Sequence, residues 1–315
     1  MDAEPRFLVT GAYGCIGAWV VAELVAEGRP VVTFDLSDEP ARLRLLLEDD
    51  VIGSIPHVVG DISEAATLER AIDAHGVTNV VHLAVLQVPF CRADPALGAR
   101  VNVVGTVNVF EAAKRRPGLA PIVYASSIAA FDPVGTLAGA PLTVYGVYKR
   151  ANELTASVYL HENGVSSTGL RPHTVYGVGR DQGVASAPTL AMLAAAAGAG
   201  YTIPYGGAAQ LHLARDVARA FVAASLAGRS GAEVHNLPGR SVAIEEVVAA
   251  LDSPGIGFDD QVRLPFPAEV DSASFSASFP DFEPTPFEDG LEETVTRFRA
   301  LLRRGALAPP APAAR

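Results

Sequence analysis

Short runs of apolar residues alternate with longer mixed stretches along the first two thirds of the chain. Arg6-Phe7-Leu8-Val9-Thr10 is an apolar run followed at once by glycine, as in a parallel strand covered on both faces. Ala18 to Glu27 reads as a helix stopped by Gly28, and Pro30-Val31-Val32-Thr33-Phe34 as a second strand with Asp35 at its end. The rhythm repeats. Strands are predicted at His57 to Gly60, Asn79 to Ala84, Pro121 to Ser127 and Ser167 to Arg171. Helices are predicted over Glu64 to His75, Pro95 to Arg115 and Tyr145 to Glu162. This alternation predicts an α/β protein on a doubly wound parallel sheet, the Rossmann arrangement. Such sheets bind ligands at the carboxyl ends of their strands. Gly11, Asp35, Asp61, Ala84, Ser127 and the segment after Arg171 all fall at that edge.

Beyond Pro172 the pattern loosens. Gly177 to Gly183 reads as a loop, Ser186 to Ala197 as a helix and Tyr201 to Pro204 as an edge strand. Ala214 to Ala227 is helical, Glu233 to Leu237 resembles one more strand, and Val242 to Leu251 is a helix. Phe258 to Pro286, rich in Pro, Phe, Ser and Asp, predicts a loop-rich cap before a last helix, Phe287 to Arg304, capped near Asp289. Residues 1–176 are expected to form the dinucleotide-binding domain, with the chain returning to it at about 212–238. Residues 177–304 would mainly form a smaller substrate-binding lobe. The Pro/Ala tail, 305–315, has nothing to bury and is expected to lack order.

The first strand-to-helix crossing carries Gly11-Ala12-Tyr13-Gly14-Cys15-Ile16-Gly17. Glycines there permit a tight turn and close approach of backbone to a pyrophosphate seated on the helix N-terminus. Asp35 is placed to accept hydrogen bonds from a ribose diol. Its charge would repel a 2′-phosphate, and no arginine follows in Leu36-Ser37-Asp38-Glu39, so NAD is favoured over NADP. Asp61 and Ile62 close the third strand where an adenine could sit. Further on, Tyr145 and Lys149 are one helical turn apart and share a face. A neighbouring ammonium favours the phenolate, so this pair can make a general acid/base acting on a hydroxyl oxygen.

Composition narrows the partners. Of 315 residues 49% are apolar, enough for a large core, and 24 Lys+Arg against 35 Asp+Glu leave a net charge of −11. Nucleic acid and anionic membrane are thereby disfavoured. Cys15 and Cys91 show no pairing or metal-ligand spacing, and seven scattered histidines form no zinc motif, so no metal is expected. No signal-peptide layout and no apolar run of ~20 residues is present. The expected setting is the cytoplasm.

Taken in order, these motifs resemble the extended short-chain dehydrogenase/reductases, the NAD-dependent epimerase/dehydratase family. The resemblance covers about residues 6–240. It rests on Thr10 to Gly17, Asp35, Gly60-Asp61-Ile62, His82-Leu83-Ala84 and Val101 to Thr106. It continues through Tyr124-Ala125-Ser126-Ser127, Tyr145 with Lys149, Leu170-Arg171-Pro172 before Val175-Tyr176-Gly177, and Asp216 to Ala220. It implies that Tyr145 exchanges a proton and that Lys149 binds the nicotinamide ribose and lowers the tyrosine pKa. Ser127, the second serine of the pair, would bond the reacting oxygen, and Asn102 would join the catalytic set as a structural, water-holding member. The implied cofactor contacts are Gly11, Tyr13, Gly14, Cys15, Ile16, Gly17, Asp35, Asp61, Ile62, Leu83, Ala84, Val85, Asn102, Tyr145, Lys149, His173 and Val175. A homodimer through the helices of Asn102 and Tyr145 is also implied.

Two departures bear on the substrate. Nucleotide-sugar members usually carry an arginine a few residues before the returning helix, and here that position falls at Ala209. The segment after Ser127, Phe131 to Leu137, is short and apolar. The expectation is an NAD-dependent dehydrogenase acting on a small polar molecule (sugar, sugar acid or hydroxy acid), with Arg180 and Ser127 contacting it. A nucleotide-sugar epimerase/dehydratase and a non-catalytic NAD-binding sensor are the alternatives.

Overall fold

The apolar run after Arg6 forms β1 (Phe7–Thr10), all four residues buried. The computed structural model describes residues 4–310; the last five residues of the predicted tail lie outside the described residues. After β1 come α1 (Cys15–Ala26), β2 (Val31–Asp35), α2 (Asp49–Ser54), β3 (His57–Val59), α3 (Ala65–His75) and β4 (Asn79–His82). Then follow α4 (Val88–Ala93), α5 (Pro95–Ala99), α6 (Gly105–Lys114), β5 (Ile122–Ala125), α7 (Val144–Asn163) and β6 (Ser167–Arg171). The remainder comprises β7 (Thr174–Tyr176), α8 (Ala187–Ala197), β8 (Tyr201–Ile203), β9 (Ala208–Leu213), α9 (Ala214–Ala227) and β10 (Ala232–Asn236). It ends with β11 (Ser241–Ala243), α10 (Ile244–Leu251), β12 (Ile256–Phe258), α11 (Ala273–Ser278) and α12 (Phe287–Arg303).

Seven parallel strands make the main sheet in the order β3-β2-β1-β4-β5-β6-β10. Strand order reverses between β1 and β4, which opens a crevice at their carboxyl ends. Side chains alternate across β1. Phe7 and Val9 pack with Trp19, Val20 and Leu24 of α1 and with Val217 and Phe221 of α9. Leu8 packs on the other side with Leu68 and Ile72 of α3 and Val109 of α6. Burying each such side chain is worth about 1.5–3 kcal/mol. Smaller sheets, β11-β9-β7 and β12-β8, lie beyond β6 in the chain. Among the described residues no helix is long and apolar enough to cross a membrane.

Several elements differ from the sequence expectation. The first helix starts at Cys15, three residues early, because Gly14 in extended conformation leads directly into it. The helix expected from Pro95 to Arg115 passes through a π-helical turn at Arg100–Val104, and Asn102 sits on that widened turn. Strand β9 was not expected: it follows Gly206-Gly207, but Gln210 and His212 interrupt its apolar run. The expected cap over Phe258 to Pro286 contains α11, whose buried Phe275 packs with Phe279 and Phe282. The last helix is capped by Pro286, and Asp289 lies inside its first turn.

Candidate active site

At the crevice, the turn after β1 is built by close contact. Gly11 has φ +67°, and a Cβ there would lie 2.6 Å from the Ala84 amide nitrogen, so no other residue fits against the end of β4. A Cβ on Gly17 would lie 2.1 Å from the Gly11 carbonyl oxygen. The turn therefore brings Cys15, Ile16 and Gly17, the first turn of α1, to the sheet edge with amides that lack intrahelical acceptors. Those amides and the helix dipole fit a pyrophosphate. Asp35 stands beside them: its Oδ2 accepts the Tyr13 amide at 2.9 Å and its Oδ1 the Ser37 amide at 3.1 Å. Tyr13 itself is buried and stacks on His57, centroids 4.6 Å apart. Asp61 caps its own turn through the Ser63 amide, and buried Ile62 packs on Gly105. Leu83 and Ala84 follow β4, with Val85 half-buried behind them.

Helix α7 supplies the acid/base candidate. Thr143 caps it, its Oγ1 accepting the Gly146 amide at 3.0 Å. A Cβ on Gly146 would fall 2.1 Å from the Ala129 carbonyl oxygen, so the helix start sits directly against the turn that Ser127 opens. Burial pushes the Tyr145 phenol up to about 12, opposed by a hydrogen bond with Ser127 and by the Arg180 charge. The expected lowering by Lys149 is thus not the prevailing effect in the protein alone. Lys149 is itself buried and pushed down to about 8, and its Nζ donates to the Ala125 carbonyl at 2.7 Å, 5.6 Å from the Tyr145 ring centroid.

Asn102 bonds to the loop after β4. Its Oδ1 accepts the Leu86 amide, and its Nδ2 donates to the Leu86 carbonyl and toward Cys91 Sγ, pinning the loop after β4. Its carbonyl accepts from Asn152 of α7 at 2.9 Å. The His173 ring is likewise engaged: Nε2 lies 2.7 Å from the Pro267 carbonyl oxygen, which requires the proton on Nε2. Val175 is buried in β7. Arg180 differs, because among the described residues its side chain hydrogen-bonds only to Gln87, at 3.2 Å, and its buried Nε has no partner. Its charge is felt by Cys15 on the cofactor side and by Tyr145 and Tyr205 on the other. Among the described residues no group of three or more ligating side chains could hold a metal.

Sequence reasoning missed Glu153. It is buried one turn beyond Lys149 on α7 and forms a bidentate pair with Arg171, at 2.6 and 2.7 Å. Ser126 also donates to it, whereas Ser127 Oγ accepts the Ala129 amide at 3.1 Å. The signal was available as the repeat Tyr145, Lys149, Glu153 at i, i+4, i+8 on one helix face.

A family model described as NAD dependent epimerase/dehydratase family matches residues 7–237. UDP-glucuronate 4-epimerase 3 of Arabidopsis thaliana is 34% identical over 185 residues, 54% of this chain and 42% of the plant protein. The match thus spans less than half of that relative's length. Among solved structures, UDP-glucose 4-epimerase of Thermus thermophilus in complex with NAD is 26% identical, with TM-score 0.75 over 93% of this chain and 99% of that one. L-threonine dehydrogenase of Clostridium difficile shares the fold, with TM-score 0.81 at 19% identity over 97% of this chain and 99% of that one. A match that begins at β1 and ends just past the edge strand β10, on a framework shared with an NAD-bound enzyme, shows that the chain belongs to the NAD-dependent epimerase/dehydratase family.

Proposed function

We propose that this enzyme is a dehydrogenase that moves a hydride between a carbinol carbon of a small polar substrate and NAD. The substrate class is a sugar, sugar acid or hydroxy acid, and Tyr145 is the general acid/base. In the oxidising direction the substrate C–OH gives its proton to Tyr145 as the same carbon gives up its hydride. NAD supplies the hydride acceptor and a positive ring. Ser127 holds the reacting oxygen, and Lys149 binds the nicotinamide ribose and stabilises the developing alkoxide. Asp35 takes the adenosine ribose, and the amides of residues 15–17 the pyrophosphate. Asn102 and His173 position the segments around the cofactor and take no part in the chemistry.

The observation that carries a small substrate is Ala209. It is 3% exposed within β9, so the position where nucleotide-sugar members usually hold a diphosphate arginine offers only a buried methyl group. Clamping a diphosphate needs a bidentate cation. Arg180, with no carboxylate partner among the described residues, would pair with one anionic group of the substrate. Nucleotide-sugar epimerisation is the second reading, favoured by the names of the relatives, and would use the same first step. A non-catalytic sensor would have no use for Ser127, Tyr145 and Lys149 together.

The test is a panel of free sugars, sugar acids, hydroxy acids and nucleotide sugars incubated with enzyme and NAD. Net NADH release from a small substrate is the expected result. A nucleotide sugar whose isomer ratio changes without NADH release would replace the proposal with the epimerase.

The enzyme is further proposed to act as a cytoplasmic homodimer, a setting suited to its free cysteines. Val147, Leu154 and Val158 form an exposed apolar stripe on α7, and Leu97 and Val104 are exposed on the neighbouring helical segment. Light scattering at micromolar concentration should give twice the 32.8 kDa chain mass. Leu154→Glu with Val158→Glu should halve it, by placing charges in an isologous contact. A parent protein of monomer mass would refute the assembly.

A further inference from the structure

We propose that Arg42 and Asp181 form a clasp that holds the 177–183 loop across the cofactor's pyrophosphate site and slows the release of NAD. The two residues are 139 apart in sequence and belong to opposite walls of the crevice. Arg42 lies on the segment after β2, past Asp35. Asp181 lies on the loop after β7, next to Arg180. The Arg42 guanidinium reaches both carboxylate oxygens, with Nη2 at 2.8 Å from Oδ1 and Nε at 3.2 Å from each oxygen. Its Nη1 also donates to the Tyr13 carbonyl at 3.2 Å, inside the glycine turn. The Tyr13 amide in turn is held by Asp35. One chain of contacts thus runs from the ribose carboxylate, through the pyrophosphate turn, to the far loop.

Two other attachments of the loop differ in character. Trp19 of α1, buried, donates through Nε1 to the Val178 carbonyl at 2.9 Å, which fixes the start of the loop to the cofactor helix. Arg180 donates to Gln87 on the nicotinamide side. Between these points Arg42 bonds the Tyr13 carbonyl, two residues before α1 begins at Cys15, so the clasp ties the loop to the turn that feeds the helix end. The Trp19 contact is buried. The clasp, with side chains 23% and 53% exposed, is the attachment that water can compete for. NAD seated on the α1 terminus cannot leave past this loop while the clasp is shut. Arg42 and Asp181 are therefore positioning residues, acting through the loop and touching no reacting atom.

The proposal rests on cofactor binding and is independent of the substrate. Protein loaded with NADH is mixed with a large excess of NAD, and the loss of bound NADH fluorescence is followed by stopped flow. Arg42→Gln and Asp181→Asn should each speed release about two- to five-fold, the scale of a partly exposed ion pair. The double variant should be no faster than the quicker single variant, because both remove one interaction. Asp181→Glu, which keeps the charge, should stay close to the parent. Salt near ~1 M should speed release from the parent more than from the variants, since screening then acts within ~3 Å. Release rates of both single variants equal to the parent would overturn the clasp, as would a double variant showing the product of the single effects. Failure of the parent to bind NADH would instead count against the cofactor assignment.

Discussion

Tyr145→Phe is expected to lower turnover by roughly 10²-fold or more, the scale of losing a general acid–base group, while NAD affinity is unchanged. The substitution keeps the ring, so the packing of the α7 terminus and the Lys149 position 5.6 Å from the ring centroid are preserved. It removes the oxygen that Ser127 bonds and that Arg180 polarises. Tyr148 provides the internal control. Its hydroxyl donates to the Pro95 carbonyl at 2.7 Å, tying α7 to α5 away from the crevice. Tyr148→Phe should therefore cost about 1 kcal/mol of stability and little turnover. Ser127→Ala should lower turnover as well, because the reacting oxygen loses a partner. Turnover of the three variants is measured with the substrate that the panel identifies. Near-normal activity in Tyr145→Phe would refute the acid–base assignment.

Glu153→Ala is expected to destabilise the protein by about 3–5 kcal/mol, the scale of breaking a buried ion pair by removing one partner. Arg171 would remain inside the protein at 6% exposure, with Asn236, at 3.3 Å, and the face of Phe131 as its remaining side-chain partners among the described residues. Replacing both ions by apolar residues of similar size, Glu153→Leu with Arg171→Met, should recover most of that loss, because neither charge is then stranded. Urea unfolding of the two variants checks this directly. A single variant within ~1 kcal/mol of the parent would show that Arg171 finds other partners. The pair has a second use beyond stability: it joins α7 to the strand end that leads into Pro172 and His173, and through Ser126 to the turn of Ser127. Three segments of the proposed site thus share one buried anchor.

What could be read from the sequence was whatever is encoded locally. The apolar run Phe7 to Thr10 and the glycines behind it specify a buried strand and a tight turn within a dozen neighbours, so β1, α1 and the glycine turn between them were legible. Tyr145 and Lys149 were legible because a helix fixes what lies four residues apart. Long-range pairings were not. Nothing near Arg42 announces Asp181, and nothing near Arg171 announces Glu153. Strand β9 was missed because its partners, β7 and β11, come from distant parts of the chain. The tyrosine pKa was misjudged for a related reason. Spacing reveals the neighbouring ammonium, but the desolvation that outweighs it depends on burial by the whole fold. Asn102 was placed on the right helix, yet its contacts with Leu86 and Cys91 depend on a π-helical turn that its local sequence does not signal.

The place of β10 at the edge of the main sheet has a consequence for biosynthesis. The strand that covers β6 is made about sixty residues after it, and α9, whose Ser225 carbonyl accepts from Asn79 of β4, is also late. While the ribosome is still adding β8 and β9, a nascent chain would present β6 as an open edge and the α1 side of the sheet without its α9 cover. Open edges and uncovered apolar faces are the surfaces through which unfinished chains associate. The sheet can close only when the returning segment emerges, so this chain is expected to fold late in its own synthesis and to lean on chaperones until then.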